Sequence, residues 1–241
     1  MITITGAPSA GPVIIKLDPP EFPNLVENEA FFLGVARELK LPVAEFNVVT
    51  DRDGKKALVL ARFDRLVERG GLKMCGQEDG CQVLERYPAD RYSIDIKDVV
   101  EGLAEVTGAP TVAKLQLFRY LVYGYLIGNG DLHARNLSVL RCGKEWKVAP
   151  LYDTPSSYPY GDTTLALPML GETALRDVPR RRWLALARSV GLRESAAELV
   201  ISDLTSKAPI WMGRLSDLPF PGRLVAKFES FARYRMRLMQ D

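Results

Sequence analysis

A single histidine and three cysteines, Cys75, Cys81 and Cys142, are spread over 241 residues. That supply is too thin for a structural zinc site: Cys75 and Cys81 lie six apart, and one histidine does not complete a four-ligand set. An odd, sparse cysteine count is no disulfide scaffold and predicts reduced thiols in a cytosol. Long hydrophobic runs are missing too. The most apolar stretch, residues 115–127, contains Gln116, Arg119 and Gly124 and is too short to span a bilayer; it predicts a buried helix. The opening MITITGAPSAGP has no basic region followed by an apolar run, so it does not read as a secretory signal. Nor is there an excess of one charge. Lys and Arg number 32 and Asp and Glu 30, a net charge of +2 that gives no global electrostatic grip on nucleic acid. What is present is ordinary globular material, 47% hydrophobic and 26% charged, long enough for one large domain or two modest ones.

Periodicity sets the expected layout. VIIKL at 13–17 lies between Pro12 and Pro19 and reads as a strand. Residues 24–40 carry Leu25, Phe32, Val35, Ala36 and Leu39 at helical spacing, with Asn24 as N-cap and Pro42 just past the end. Residues 45–50 and 56–62 read as a hairpin around the Asp51–Gly54 turn. Residues 66–94 read as loop with a short helix near 77–85. Helices are expected at 95–107, 111–128, 179–190, 193–207 and 221–239, and short strands at 137–140 and 146–150. Arg180, Arg181 and Arg182 open a helix where the dipole disfavours them and read as a solvated face. The sum is a small β-rich lobe followed by a larger helical one, divided near residues 64–72.

The chemistry concentrates in GNGDLHARNLSVL, residues 128–140. A helix runs into a glycine-rich turn, then Asp131, His133 and Asn136 precede a strand. Phosphoryl transfer needs a carboxylate to accept or orient the proton of the attacking hydroxyl, and oxygen ligands for Mg²⁺. Asp131 and Asn136 stand five apart, the spacing of base and metal ligand in a protein-kinase catalytic loop. A second acidic ligand should follow the strand pair, and Asp153 of PLYDTPSSYP does.

With VENEAFFLGVARELKLPVAE at 26–45, ARFDR at 61–65, QEDGCQVL at 77–84, LIGNGDLHARNLSVL at 126–140 and APLYDTPSSYP at 149–159, the chain resembles the HipA-like serine/threonine-protein kinases, the toxin kinases of bacterial toxin–antitoxin systems. The resemblance implies a two-lobed α+β kinase-like fold, with residues 1–65 as N-lobe and 66–241 as helical C-lobe. It implies ATP and Mg²⁺ as cofactors and assigns roles by position. Lys16 matches the strand lysine on the nucleotide phosphates, and Glu29 its helix partner. Ala61, Arg62 and Phe63 match the segment that pairs with adenine, with Ala61 where relatives often carry Glu. Asp131 matches the base, Asn136 and Asp153 the Mg²⁺ ligands. His133 orients the loop, and Arg135 stands where relatives often have Lys.

Only fifteen residues precede Lys16, whereas longer relatives carry a further N-terminal subdomain and a serine-containing Gly-rich loop. Ser9, between Gly6 and Gly11, is the candidate counterpart of that serine. The spacing resembles a Walker A loop, but Pro12 takes the place of its lysine. The resemblance further implies a protein substrate such as an aminoacyl-tRNA synthetase, a helix-turn-helix antitoxin, a small partner supplying the missing subdomain, and a bacterial cytoplasmic location. Nucleic acid is expected only through the antitoxin, and no membrane. Two alternatives stay open: a small-molecule kinase of the aminoglycoside or choline type, and a degenerate pseudokinase that acts as a binding partner.

Overall fold

The computed structural model describes residues 11–240; Ser9 and its glycine-rich stretch lie outside them. Alternating aliphatic residues make β1 (Val13–Leu17), and β2 (Phe46–Thr50) and β3 (Lys56–Ala61) form the expected hairpin. The three pair antiparallel in the order β1-β3-β2, with Lys16 opposite Leu58 and Thr50 opposite Lys56. The connecting turn is closed by Asp51, whose Oδ1 accepts from the backbone N–H of Asp53 and Lys55 at 2.9 and 2.8 Å, the local bonding that makes Asp a turn former. Helix α1 (Leu25–Glu38) packs Val26 and Leu33 on Leu58 and Leu60 of β3. Its opposite side sends Phe32, Val35 and Ala36 into the larger core. One helix thus belongs to both lobes.

The start of α1 corrects an expectation. Asn24 precedes the first helical residue but has φ +64° and makes no side-chain cap; its Nδ2 donates to the Pro219 carbonyl at 3.1 Å. The cap comes from Asp18, whose carboxylate accepts from the N–H of Asn24 at 2.9 Å and of Val26 at 2.7 Å. A carboxylate there satisfies orphan donors and meets the positive end of the helix dipole.

The larger lobe is built on α4 (Pro110–Ile127). From Tyr120 to Ile127 every residue of this helix is buried, as expected of a helix apolar on all sides. Around it lie α3 (Ile96–Glu105), α5 (Arg180–Ser189), α6 (Glu194–Met212) and α7 (Gly222–Gln240). The basic start of α5 is paired rather than freely solvated: Arg180 donates to the Met239 carbonyl, and Arg182 bonds Glu172. Helix α7 buries Phe228, Ala232, Met239 and also Arg235, which is sandwiched between the rings of Tyr125 and Phe231 and donates to the carbonyls of Tyr125 and Thr163. Burial pulls the Arg235 guanidinium down to a pKa of about 10. No helix among the described residues is long and apolar enough to cross a membrane.

Residues 66–94, expected as loop with a short helix near 77–85, contain that helix and three strands besides. An exposed hairpin of β4 (Arg65–Glu68) and β5 (Gly71–Met74) is followed by β6 (Gly76–Asp79), the short helix α2 (Gly80–Val83) and a 3₁₀ turn over Pro88–Tyr92. Strand β6 pairs antiparallel with β7 (Ser138–Arg141), which pairs with β8 (Lys147–Val148).

That register overturns the expectation of reduced thiols throughout. Gly76 faces Arg141, so the next positions outward, Cys75 and Cys142, also face each other, and their sulfurs are bonded. Cys81 is the free, buried thiol. Facing positions on antiparallel strands bring Cβ atoms within disulfide range even when the residues are remote in sequence. The bond spans 67 positions, and a cross-link closing a loop of that size stabilises the fold by about 4 kcal/mol in the chain-entropy estimate. Protein purified without reductant should yield a Cys75–Cys142 cross-linked peptide, and reduction should lower its unfolding free energy by about that amount. Recovery of both peptides as free thiols would remove the bond.

Candidate active site

Helix α4 stops because Gly128 takes φ +73°, a conformation that costs glycine nothing. The loop that follows closes on itself through backbone bonds. Asn129 Oδ1 accepts from the Asp131 N–H at 2.9 Å, and the Asp131 carbonyl accepts from Asn136 Nδ2 at 2.8 Å. The five-residue spacing is therefore one closed turn. A Cβ at Gly130 would lie 2.2 Å from the Asp162 carboxylate, so any larger residue there displaces the Asp162 side chain.

The Asp131 side chain is half-exposed and its Oδ1 accepts from the hydroxyl of Tyr92. His133 is buried, edge-on to the Tyr92 ring at 5.0 Å, and its Nδ1 has no hydrogen-bond partner. Burial draws the imidazole pKa below its ordinary value against the pull of Asp131, so the ring is neutral at pH 7.

Three remote segments meet at Lys16. Its Nζ donates to Glu29 Oε1 and Oε2 at 2.8 and 2.9 Å, and to Asp153 Oδ1 at 2.7 Å. Glu29 is almost fully buried, with 3% of its side chain exposed against 32% for Lys16. Burial raises the Glu29 carboxyl above the usual range, in spite of Lys16. Burial lowers the Lys16 ammonium, but Glu29 and then Asp153 outweigh it and leave it raised. Asp153 adopts φ +52°, the left-handed region that Asp tolerates better than most residues. Its loop is clamped to α1 by a pair of bonds between Asn28 and the Ser156 backbone at 2.8 and 2.9 Å. It is tied to the catalytic turn by Ser157, whose Oγ accepts from the Gly130 N–H at 3.1 Å.

Between these groups opens a cleft of about 590 Å³, within the size range of small-molecule sites. His133, Arg135, Asn136 and Asp153 line it, with Asp64 and Asp79. A smaller pocket of about 190 Å³ continues from it along Lys16, Ala61, Arg62 and Phe63. Asp131 stands outside this lining, its carboxylate turned to Tyr92. The side chain of Arg62 is directed at Asp64, with bonds of 3.0 and 2.6 Å. The Arg62 guanidinium, aided by Arg65, holds the Asp64 carboxyl below the usual carboxylate range. Arg135 bonds Asp79 at 3.2 Å. Phe63 packs on the ring of Tyr152 at 5.5 Å, and the Tyr152 hydroxyl bonds Ser138 and the Arg135 carbonyl.

For a divalent cation the donor chemistry fits. Asn136, whose nitrogen is spent on the Asp131 carbonyl, has its amide oxygen left, and Asp153 has its Oδ2. Both are the hard oxygen donors that Mg²⁺ prefers. Tyr92, Tyr152, Asp64 and Asp79 were not singled out as site residues by the sequence reading. Asp64, Asp79 and Tyr152 lie inside the strings ARFDR, QEDGCQVL and APLYDTPSSYP. Tyr92 carries no local signal.

The family model of the HipA-like C-terminal domain matches residues 2–212. The chain belongs to that family. The serine/threonine-protein kinase toxin HipA of Shewanella oneidensis is 28% identical over 211 residues, 80% of this chain and 47% of that protein. The solved complex of Shewanella oneidensis HipA with HipB and operator DNA contains a chain that superposes with a TM-score of 0.77 at 22% identity, over 93% of this chain and 57% of that one. The Helicobacter pylori proinflammatory kinase CtkA superposes with a TM-score of 0.65 at 16% identity, over 94% and 84%. The α+β, two-lobed kinase-like fold is therefore established. The chain spans about half the length of the curated relatives it matches.

The charge triad generates a pH-dependent expectation. Lys16→Met leaves the buried Glu29 with no cation. Removing one partner of a buried pair costs 3–5 kcal/mol, and partial exposure of Lys16 places the cost near the lower end, about 3 kcal/mol at pH 8. The folded state of the variant then holds the Glu29 proton more tightly than the unfolded chain, whose value is the ordinary 4.5. Stability falls as pH rises through the window between those values, so the deficit against wild type is smaller at pH 5 than at pH 8. Urea unfolding at both pH values measures it; equal deficits would contradict the buried-carboxylate account.

Proposed function

We propose that the chain is an ATP-dependent protein kinase that phosphorylates serine or threonine hydroxyls. The observation that supports this best is that one cleft is lined both by Asp153, the outer member of the Lys16–Glu29–Asp153 triad, and by Asn136, whose amide closes the turn on the Asp131 carbonyl. In this reading Lys16 bonds nucleotide phosphate, the backbone at Arg62 pairs with adenine while Phe63 packs on it, and Arg135 faces the γ-phosphate. Asn136 and Asp153 would hold Mg²⁺, which when bound neutralises the phosphates and lets their charge be redistributed during transfer. The acceptor oxygen bonds to the γ-phosphorus as the bond to the β-bridging oxygen breaks. The acceptor's proton goes to Asp131, and ADP leaves. The ring of His133 makes no hydrogen bond to the loop, contrary to the expectation that it orients the loop by one; its contact is edge-on packing with Tyr92. The nucleotide lobe comprises residues 1–65 and the catalytic lobe 66–241.

The named HipA toxin among its relatives, and the HipB and operator DNA in the solved complex, support a wider reading. The chain would be the toxin of a bacterial toxin–antitoxin system. It would be bound by a small helix-turn-helix antitoxin. It would act in the cytoplasm on a protein such as an aminoacyl-tRNA synthetase.

Asp131→Asn should lower phosphoryl transfer by about 10³-fold, within the range for loss of a general base, with an unchanged unfolding midpoint. A folded variant at near wild-type rate would refute the role of Asp131. Asp153→Ala should weaken ATP binding in the presence of Mg²⁺ more than Asp131→Ala does, because it removes a proposed charged ligand. Calorimetric titration with and without Mg²⁺ decides this; wild-type affinity would take Asp153 out of the metal site.

A further inference from the structure

A general base must present one oxygen lone pair at a fixed place, and a half-exposed aspartate does not do so unaided. Freedom about its side-chain torsions has to be removed by contacts. The backbone of Asp131 is pinned on both sides by Asn129 and Asn136. Its carboxylate is not held by that turn. His133 Nε2 lies 4.0 Å from Oδ1, too far for a hydrogen bond. The group that grips the carboxylate, among the described residues, is Tyr92, 39 positions earlier, whose hydroxyl donates to Oδ1.

Tyr92 is itself held on three sides. It ends the 3₁₀ turn Pro88–Tyr92, which is closed by Asp90 N–H to the Tyr87 carbonyl at 2.9 Å and by Ser93 N–H to the Asp90 carbonyl at 2.9 Å. Its ring meets His133 edge-on at 5.0 Å, and the Arg91 guanidinium lies 4.8 Å from its centre. Burial and the Asp131 carboxylate both raise the phenol pKa, so the hydroxyl keeps its proton and donates. Tyr92 is still 43% exposed, so these contacts orient it without burying it. One oxygen of Asp131 is thus engaged by the Tyr92 hydroxyl, and the other, Oδ2, is left for an acceptor.

We propose that Tyr92 is a positioning residue of the catalytic turn, its ring bracing His133 and its hydroxyl fixing the Asp131 carboxylate so that Oδ2 meets the acceptor. The inference rests on the kinase reading, with Asp131 as base. It differs from a blocking role, in which the same hydroxyl would occupy the acceptor's place and its removal would speed the reaction.

The test compares wild type, Tyr92→Phe, Asp131→Asn and the double variant, using Mg²⁺-ATP turnover with water as acceptor and autophosphorylation by γ-labelled ATP. Phenylalanine keeps the ring on His133 and removes only the donor. The expected result is a kcat lowered about tenfold, modest beside the ~10²-fold that a displaced reacting group can cost. KM for ATP and the unfolding midpoint should stay unchanged. In the Asp131→Asn background the same substitution should have less than about a twofold effect, because residues acting through one another are not additive. An unchanged kcat, a raised kcat, or a tenfold loss that persists beside Asp131→Asn would each overturn the role of Tyr92. Full activity of Asp131→Asn would instead overturn Asp131 as base, and absence of Mg²⁺-ATP turnover and autophosphorylation in wild type would overturn the kinase reading; this inference falls with either. A readout without turnover is the ¹³C carboxyl resonance of Asp131, assigned by its loss in Asp131→Asn. It should move in Tyr92→Phe, and an unmoved line would overturn the contact.

Discussion

Lys16 holds together parts of the chain that nothing else on the cleft side joins so directly. Strand β1 supplies the ammonium, α1 supplies Glu29, and the loop after β8 supplies Asp153. A carboxylate as buried as Glu29 is tolerable only with a cation in contact. Lys16 has to reach inward past the edge of the small sheet to be that cation. This pairing adds a charged tie to those that already place the segments: β1 on β3, α1 on β3, and Asn28 on Ser156. Because α1 packs Leu33 into the small core and Phe32 into the large one, a constraint on α1 is also a constraint between the lobes.

The Asp131–Asn136 turn reaches the same end by different means. Its rigidity comes from neutral bonds: Asn129 and Asn136 to the Asp131 backbone, Ser157 to Gly130, Asn28 to Ser156. Short polar side chains bonding to backbone within a few residues favour turns over regular structure. The turn is held in this way although two of its buried nitrogens, Asn129 Nδ2 and His133 Nδ1, have no hydrogen-bond partner. Asp153, at φ +52°, is the strained member, held by the clamp at Ser156 and the ion pair at Lys16. Left-handed backbone at a non-glycine residue persists where neighbours over-determine it.

What could be read from the sequence follows from the range of the interactions. Strand β1, the β2–β3 hairpin and the long helices carry their periodicity in adjacent residues, and the Asp131–Asn136 spacing is local. Hairpin β4–β5 was illegible because RLVE and GLKM are four residues each and largely exposed, so no face is patterned by burial. The Asn24 cap failed for a conformational reason: in the left-handed region its side chain turns to Pro219, and Asp18, six residues earlier, takes over. The Cys75–Cys142 bond depends on the register of β6 on β7, a fact of tertiary structure. In a reducing compartment that register would still keep the two thiols adjacent, ready to close when the poise changes. Tyr92 is one of nine tyrosines, and nothing in its neighbours marks the one that meets Asp131.

The charges along the cleft carry the argument one step further. Arg62 and Arg65 are both engaged by Asp64, Arg135 by Asp79, and Lys16 by Glu29 and Asp153. Each of these cations lining the cleft and its smaller extension thus faces a carboxylate already. If a nucleoside triphosphate binds here, as proposed, it meets little uncompensated positive charge, and in a partly desolvated cleft that deficit is costly. The amide oxygen of Asn136 and Oδ2 of Asp153 would then be the donors for a divalent ion that makes good the deficit. On that proposal the nucleotide would bind together with its cation in preference to the bare anion, because of how the chain has paired its own charges and over and above any need of the transfer step.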